Sequence, residues 1–177
     1  MTIPQLGPTS LADLQAPVRR RLDDVSAEMR RMIEEDFPLI SEVNQHLLRM
    51  RGKMFRPTLV LLADQATGGP TERAATFAAV IEVIHLATLV HDDSVDHSTL
   101  RRGMPTINAL FSHQVSVIMG DFLYSRAVVE LVRLGNLDAL RILSRVTTEM
   151  TVGELRQWLA EDPLAVGERE YDRLIKA

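Results

Sequence analysis

The chain has 177 residues, of which 46% are hydrophobic and 25% are charged, and its formal net charge at pH 7 is −4. This size predicts one globular domain, and the slightly acidic balance gives no indication of nucleic-acid binding. The absence of cysteine excludes disulfides, zinc–thiolate sites, iron–sulfur clusters and thiol nucleophiles. No segment is expected to reach the roughly 18 uncharged apolar residues of a membrane span, and the N-terminus lacks the pattern of a signal peptide. We therefore expect a cytoplasmic protein without a stable membrane anchor.

The predicted elements are helices throughout. The first carries apolar residues at steps of three and four, namely Leu11, Leu14, Val18, Leu22, Val25, Met29 and Met32. It ends before Pro38, because the residue that precedes a proline avoids helical dihedral angles. A second helix is predicted over residues 39–50 and a third over residues 58–66, with Pro57 in the first turn of the third.

The fourth predicted helix opens near Thr71 and is the most apolar segment of the chain. Apolar residues nearly all round a helix indicate a central, buried element. Further helices are predicted over residues 114–134 and 137–160, and no strand-like alternation or internal repeat is found. Residues 168–175 have the pattern of another helix that reaches Ala177 without a cap. We expect a sequence that stops inside an element, or alternatively a short frayed helix.

Three carboxylates follow the apolar helix. Asp92 and Asp96 are four residues apart, so on a helix they share a face and can approach the same cation. Asp93 lies one step round the helix. Negative charge at a helix C-terminus opposes the macrodipole, which indicates that a positive group compensates for it. Oxygen-only ligands are typical of Mg²⁺, which also bridges to substrate phosphates.

Arg101 and Arg102 follow within a few residues, and paired guanidinium groups suit phosphate oxygens. Carboxylates for a metal and arginines for phosphate together predict a diphosphate site. A solvated surface cluster of acids with arginine counter-charges is the alternative. The His91-Asp92 dipeptide also occurs in metal-dependent phosphohydrolases, although it is a weak signal. His85 lies two helical turns before Asp92 and is either a core histidine or a group that projects into a cleft above the acids.

A second basic group stands at a glycine break. Lys53 and Arg56 follow Gly52 just before a predicted helix. A helix N-terminus flanked by cations is an anion site, and a plain surface loop is the alternative.

With these motifs in this order, the chain resembles the trans-isoprenyl diphosphate synthases, also called polyprenyl synthetases. The motifs are Gly52-Lys53 with Arg56-Pro57, His85, Asp92-Asp93 with Asp96, Arg101-Arg102-Gly103 with Pro105-Thr106, Gly120-Asp121-Phe122-Leu123 and, more weakly, Gly153-Glu154 with Gln157. The resemblance is strongest to synthases that make medium and long chains. It implies an all-α, isoprenoid synthase-type bundle of long helices around a central cavity, usually as a homodimer. Residues 1–177 would then form the N-terminal part of one such domain.

The resemblance also implies roles for single residues. Asp92 and Asp96 would bind Mg²⁺ with support from Asp93, and Arg101 would hold an allylic diphosphate. Isopentenyl diphosphate would be held by Lys53, Arg56, His85 and Arg102. The reaction implied is the condensation of isopentenyl diphosphate with the allylic diphosphate after the latter loses its diphosphate.

The chain departs from the family pattern in two ways. Met54 stands where the family usually has a basic residue. The second aspartate-rich motif of the family and the Lys-Thr pair before it are not found in the sequence. We therefore expect a truncated bundle with half of the metal site, inactive alone unless the missing part is supplied.

Product length is predicted from the positions before Asp92. The growing chain would run past Ile81, Ile84, Ala87 and Thr88. In the family, an aromatic residue just before the first aspartate motif stops elongation. Ala87 and Thr88 are small, so products longer than about 20 carbons are expected.

Two alternative functions are kept. One is a non-catalytic or half-site subunit that needs a partner chain, and the other is a class I terpene cyclase. A cyclase uses similar metal chemistry but needs no isopentenyl diphosphate site, so Lys53, Arg56 and His85 favour the synthase.

Overall fold

The computed structural model describes residues 10–50, 52–159 and 167–175, and it confirms the predicted all-α class. The helices are α1 Leu11–Gln15, α2 Arg19–Ile33, α3 Pro38–Arg49, α4 Phe55–Ala66, α5 Arg73–Val95, α6 Ile107–Leu110, α7 His113–Arg133, α8 Leu137–Leu159 and α9 Glu168–Ile175. They form two compact units, Met1–Leu134 and Gly135–Ala177. The second unit contains α8 and α9, which contact each other. A single domain over residues 1–177 stays a prediction.

The N-terminal segment differs from the single helix expected there. Ser10 caps α1, because its side chain accepts a hydrogen bond from the Asp13 amide while the Asp13 carboxylate accepts one from the Ser10 amide. A 3-10 turn over Ala16–Val18 then separates α1 from α2. Pro17 explains the break, since proline has no N–H and its ring clashes with the preceding helical turn.

Helix α5 is the centre of the first unit, as the sequence predicts. It contacts α2, α4 and α7, and its buried face consists mainly of small residues, namely Ala74, Ala78, Ala79, Val80, Val83, Ala87 and Val90. By length and composition α5 is also apolar enough to cross a membrane, with a mean hydropathy of 1.6 over 18 residues. The expectation that no segment comes near this limit is therefore wrong. The buried core helix of a globular protein meets the same criterion.

Two short strands were not expected from the sequence. β1 (Leu100–Arg101) pairs with β2 (Met104–Pro105) in antiparallel register, Leu100 opposite Pro105 and Arg101 opposite Met104. Arg102 and Gly103 between them have φ angles of 52° and 77°. Positive φ at both central residues is typical of the type I′ turn, which matches the twist of the flanking strands. The hairpin follows α5 directly and positions both arginines.

Helices α5 and α7 approach closely at Gly120. This glycine is buried on α7, and a Cβ atom there would overlap the imidazole ring of His91 on α5. His91 Nε2 lies 3.1 Å from the carbonyl oxygen of Val117 and 3.3 Å from Asp121 Oδ1. The absence of a side chain at Gly120 therefore sets the distance between the two helices beside the aspartate motif.

Gly120→Ala is expected to lower the free energy of unfolding by about 1–3 kcal/mol, because the added methyl group displaces the His91 ring. Chemical denaturation followed by circular dichroism measures the change. The control is Ser125→Ala, an exposed position on the same helix, for which a change within about 0.5 kcal/mol is expected. Wild-type stability of Gly120→Ala would contradict the close approach.

Candidate functional site

The aspartate motif occupies the end of α5. Asp92 and Asp96 are one helical turn apart, and the Asp96 amide donates to the Asp92 carbonyl oxygen at 2.8 Å. Asp96 is exposed and Asp92 is half-buried. Within the described parts of the chain, no three acidic or histidine side chains converge as a ready metal cage. Two carboxylates at this spacing fit Mg²⁺, which keeps several waters and completes its shell with substrate phosphates.

Asp93 is placed differently from its two neighbours. Its side chain is only 5% exposed, and Oδ2 accepts a hydrogen bond from Arg101 Nε at 2.8 Å. The other oxygen, Oδ1, is buried with no hydrogen-bond partner. The bond to Asp93 raises the pKa of the Arg101 guanidinium. Asp93 therefore anchors Arg101, the arginine that the family resemblance would assign to the allylic diphosphate.

The ring of His91 packs against α7, at Val117 and Gly120. It therefore serves the contact between the two helices, and this placement gives no support to the phosphohydrolase interpretation of the His91-Asp92 dipeptide.

Arg102 is the first residue of the turn that joins β1 and β2. Its Nη1 donates to the carbonyl oxygen of Met50 at 2.7 Å. The guanidinium covers Gly52 so closely that a Cβ there would lie 2.9 Å from Nη1. A side chain at position 52 would therefore displace the Arg102 guanidinium from this position. The hairpin is also held by α3, because His46 Nε2 lies 2.7 Å from the Pro105 carbonyl oxygen.

A cleft of about 450 Å³ brings the basic groups together. Its lining residues are Gly52, Lys53, Met54, Phe55, Arg56, Glu82, His85 and Arg102. All four residues that the family resemblance would assign to isopentenyl diphosphate are among them. Arg56 lies inside the first turn of α4, since this helix begins at Phe55, three residues earlier than the predicted start at residue 58. A smaller enclosed cavity shares Glu82, His85 and Arg102 and adds the apolar side chains of α2, α3 and α5.

The backbone before α4 is held in an unusual conformation. Met54 has a φ angle of 52°, in the left-handed region that non-glycine residues rarely adopt. Its carbonyl oxygen accepts hydrogen bonds from the Thr58 amide at 3.0 Å and from Thr58 Oγ1 at 2.6 Å. Gln15 Nε2 donates to the Lys53 carbonyl oxygen at 2.8 Å. These bonds fix the backbone that carries Lys53 and Arg56, and no pattern in the sequence indicates the contact that Gln15 makes.

The cleft favours a neutral His85. Burial lowers the pKa of its imidazole to about 4, and the charges of Arg56, Arg102 and Arg101 act in the same direction. At neutral pH the ring therefore offers hydrogen bonds without a charge. Glu82, one turn earlier on α5, has its pKa raised by burial, although Arg56 and Arg102 lower it.

The residues expected to line the product cavity do not all share one face. Ile81, Ile84 and Thr88 recur at helical spacing on the half-buried face that leads to Asp92. Ala87 is 1% exposed and lies on the buried face with Val83 and Val90. The structure thus brings together three of the four predicted lining residues.

Carboxylates at the end of a central helix with a cationic cleft beside them are typical of proteins that handle phosphorylated substrates with a divalent metal. The family model described as polyprenyl synthetase matches residues 37–177, and the chain belongs to this family.

Individual relatives agree with this assignment. The octaprenyl diphosphate synthase of Escherichia coli is 37% identical over 151 residues, which are 85% of this chain and 47% of that protein. The crystal structure of a decaprenyl diphosphate synthase from Rhodobacter capsulatus is 35% identical with a TM-score of 0.88, covering 94% of this chain and 52% of that one. The polyprenyl synthase from Caulobacter crescentus, complexed with calcium and isoprenyl diphosphate, is 30% identical with a TM-score of 0.90, covering 97% and 52%.

These likenesses confirm the isoprenoid synthase-type fold. The chain spans about half the length of the curated relatives it matches.

His85 is expected to make the protein less stable as the pH falls from about 6.5 toward 4. Its pKa of about 4 in the folded protein is below its ordinary value of 6.5, so in this window the unfolded chain binds a proton that the folded protein does not. The contribution to the slope of unfolding free energy is at most about 1.4 kcal/mol per pH unit. Denaturation of His85→Gln across this window should show a shallower slope.

The matched control is His97→Gln, an exposed histidine whose loss leaves His85 intact. It should keep the wild-type slope. Equal slopes for the wild type and His85→Gln would contradict the buried, neutral state of His85.

Proposed function

We propose that the protein is a Mg²⁺-dependent prenyltransferase that condenses isopentenyl diphosphate with an allylic diphosphate into a trans-polyprenyl diphosphate. The observation that carries this proposal is the cleft in which Lys53, Arg56, His85 and Arg102 meet. Three cationic side chains around a neutral imidazole suit the negative charge of a diphosphate. The hairpin formed by β1 and β2 connects this cleft with the aspartate motif. Family membership supports the same reaction class.

The residues take separate roles in this proposal. Asp92 and Asp96 would hold Mg²⁺, which when bound supplies Lewis-acid charge stabilisation to a leaving diphosphate. Arg101, fixed by Asp93, would bind the allylic diphosphate and stabilise the negative charge that develops as its C–O bond breaks. The cleft would orient isopentenyl diphosphate so that its double bond attacks the allylic carbocation. A C–C bond then forms and a proton leaves, for which the released diphosphate is the base.

The product is proposed to exceed about 20 carbons. Relatives named octaprenyl and decaprenyl diphosphate synthases support a medium or long chain. Ile81, Ile84 and Thr88 present no aromatic ring on the face that leads to Asp92. Ala87 contributes to the packing of α5 and is a weaker candidate for this lining.

The partners proposed are the two diphosphates and a second copy of the chain, in the cytoplasm. A terpene cyclase is less well supported, because it has no need for the second diphosphate cleft. A half-site subunit would use the same cleft for binding and depend on another chain for the reaction.

Elongation of an allylic diphosphate with radiolabelled isopentenyl diphosphate, with and without Mg²⁺, tests the proposal. Lys53→Ala should weaken isopentenyl diphosphate binding about 10- to 100-fold, since one charge-assisted contact is lost, while allylic diphosphate binding stays within about twofold. Gln65→Ala, on the exposed surface of the same helix α4 that follows the cleft, is the control and should bind as the wild type does.

The outcomes separate the candidate functions. Mg²⁺-dependent products longer than about 20 carbons support the synthase. Binding of isopentenyl diphosphate without turnover supports the half-site subunit. Turnover of an allylic diphosphate that ignores isopentenyl diphosphate supports the cyclase and contradicts the proposal.

A further inference from the structure

Glu82 is a charged residue of the cleft that the proposed reaction does not use. It lies on α5 one turn before His85, in the segment that is otherwise the most apolar of the chain. Among the described residues that line the cleft, it is the single carboxylate, and it shares the space with Lys53, Arg56 and Arg102. An acid inside a cluster that binds anions works against binding while it is ionised.

The position of the carboxylate adds a second observation. Its Oε2 is buried and makes no hydrogen bond. Arg56 and Arg102 are near enough to lower the pKa of Glu82 by charge, but burial outweighs them and the pKa is raised. Buried carboxylates are normally hydrogen-bonded, so an oxygen without a partner in a binding cleft is an acceptor or a donor held ready for a ligand.

A diphosphate in this cleft would bring several negatively charged oxygens to a carboxylate. Like charges at contact distance shift the pKa of one group upward until a proton lies between them, as two neighbouring carboxylates do. A protonated Glu82 would donate an O–H bond to a diphosphate oxygen, whereas an ionised Glu82 would repel it. The bound state therefore holds one more proton than the free state in the pH range where Glu82 is ionised before binding.

We propose that Glu82 is a binding residue of the diphosphate cleft and that it contacts the diphosphate through one shared proton, taken up from solvent when the anion binds. This inference rests on the proposed function, because it takes the cleft to be a diphosphate site. The atoms balance: a buffer acid or hydronium ion in the solvent gives up one proton, one O–H bond forms on Glu82 or on the diphosphate, and no other bond in the complex changes. Binding then weakens as the pH rises, beyond the change that comes from the diphosphate's own titration.

Four other charged or titratable side chains line the cleft with Glu82, and each could affect proton uptake. Lys53 and Arg56 approach from the segment around the start of α4, Arg102 from the hairpin, and His85 from α5 itself. His85 is neutral at pH 7 and would also gain a proton if the anion raised its pKa, so it is the one competitor for this role.

Calorimetric titration with isopentenyl diphosphate, without metal, in two buffers of different ionisation enthalpy gives both affinity and proton uptake. It should be run between about pH 6 and pH 8 on the wild type, Glu82→Gln and His85→Gln. Glutamine has the shape of glutamate and a permanent N–H donor. Glu82→Gln is therefore expected to take up fewer protons than the wild type, by as much as one, and to bind at least as tightly at pH 8.

The pH dependence gives an independent readout. Relative to Glu82→Gln, wild-type affinity should fall by up to tenfold per pH unit, which is the limit for one proton. His85→Gln should bind less tightly yet keep the wild-type proton uptake. Circular dichroism and thermal unfolding of each variant establish that a change in binding does not come from loss of the fold.

Three results would overturn the inference. Equal proton uptake by the wild type and Glu82→Gln would mean that Glu82 merely tempers the repulsion between the arginines. Loss of uptake in His85→Gln alone would assign the proton to His85. In both cases isopentenyl diphosphate still binds, and the proposed function stands. Failure of all three proteins to bind isopentenyl diphosphate or inorganic pyrophosphate would overturn the cleft assignment and this inference together.

Discussion

The ion pair between Asp93 and Arg101 determines where both arginines of the site lie. Asp93 is 4% exposed at the end of the central helix, and its carboxylate is 2.8 Å from the guanidinium that follows in the hairpin. A buried charge without its partner is strongly unfavourable, so the first strand of the hairpin is tied to α5. Arg102 follows in the tight turn, where it reaches the Met50 carbonyl oxygen and covers Gly52. One contact thereby connects the aspartate motif with the diphosphate cleft.

The electrostatic balance of the site follows from the same arrangement. Three carboxylates stand at the C-terminal end of α5, where the helix dipole disfavours negative charge. Arg101 compensates for the buried one, and Asp92 and Asp96 are left at the more exposed positions, where a hydrated divalent cation can reach them. In the cleft the signs are reversed, because cations surround a neutral histidine and one half-buried carboxyl group. The aspartate motif therefore favours a bound cation, and the cleft favours a bound anion.

Much of this arrangement was predictable from local patterns. The helices follow from apolar periodicity, and the four-residue spacing of Asp92 and Asp96 fixes their common face. The hairpin was not predictable from alternation, because strands of two residues are shorter than the pattern, although Gly103 marks the turn. Ala87 and Thr88 lie on different faces, because successive residues of a helix are rotated by about 100° about its axis. Glu82 could not be assigned at all, because one acid in an apolar helix acquires its meaning only from Arg56 and Arg102, which come from distant segments.

Asp93 does not line the cleft, but through the hairpin it positions Arg102, which does. The most direct measurement is the affinity of Asp93→Asn for isopentenyl diphosphate, well below the unfolding temperature. Removal of a negative charge would by itself favour anion binding, so a loss of about tenfold would identify positioning. Asp93 and Arg101 act through one contact. The double variant Asp93→Asn with Arg101→Gln should therefore lose no more affinity for isopentenyl diphosphate than the single variant with the larger loss. Unchanged or tighter binding by Asp93→Asn would contradict the account.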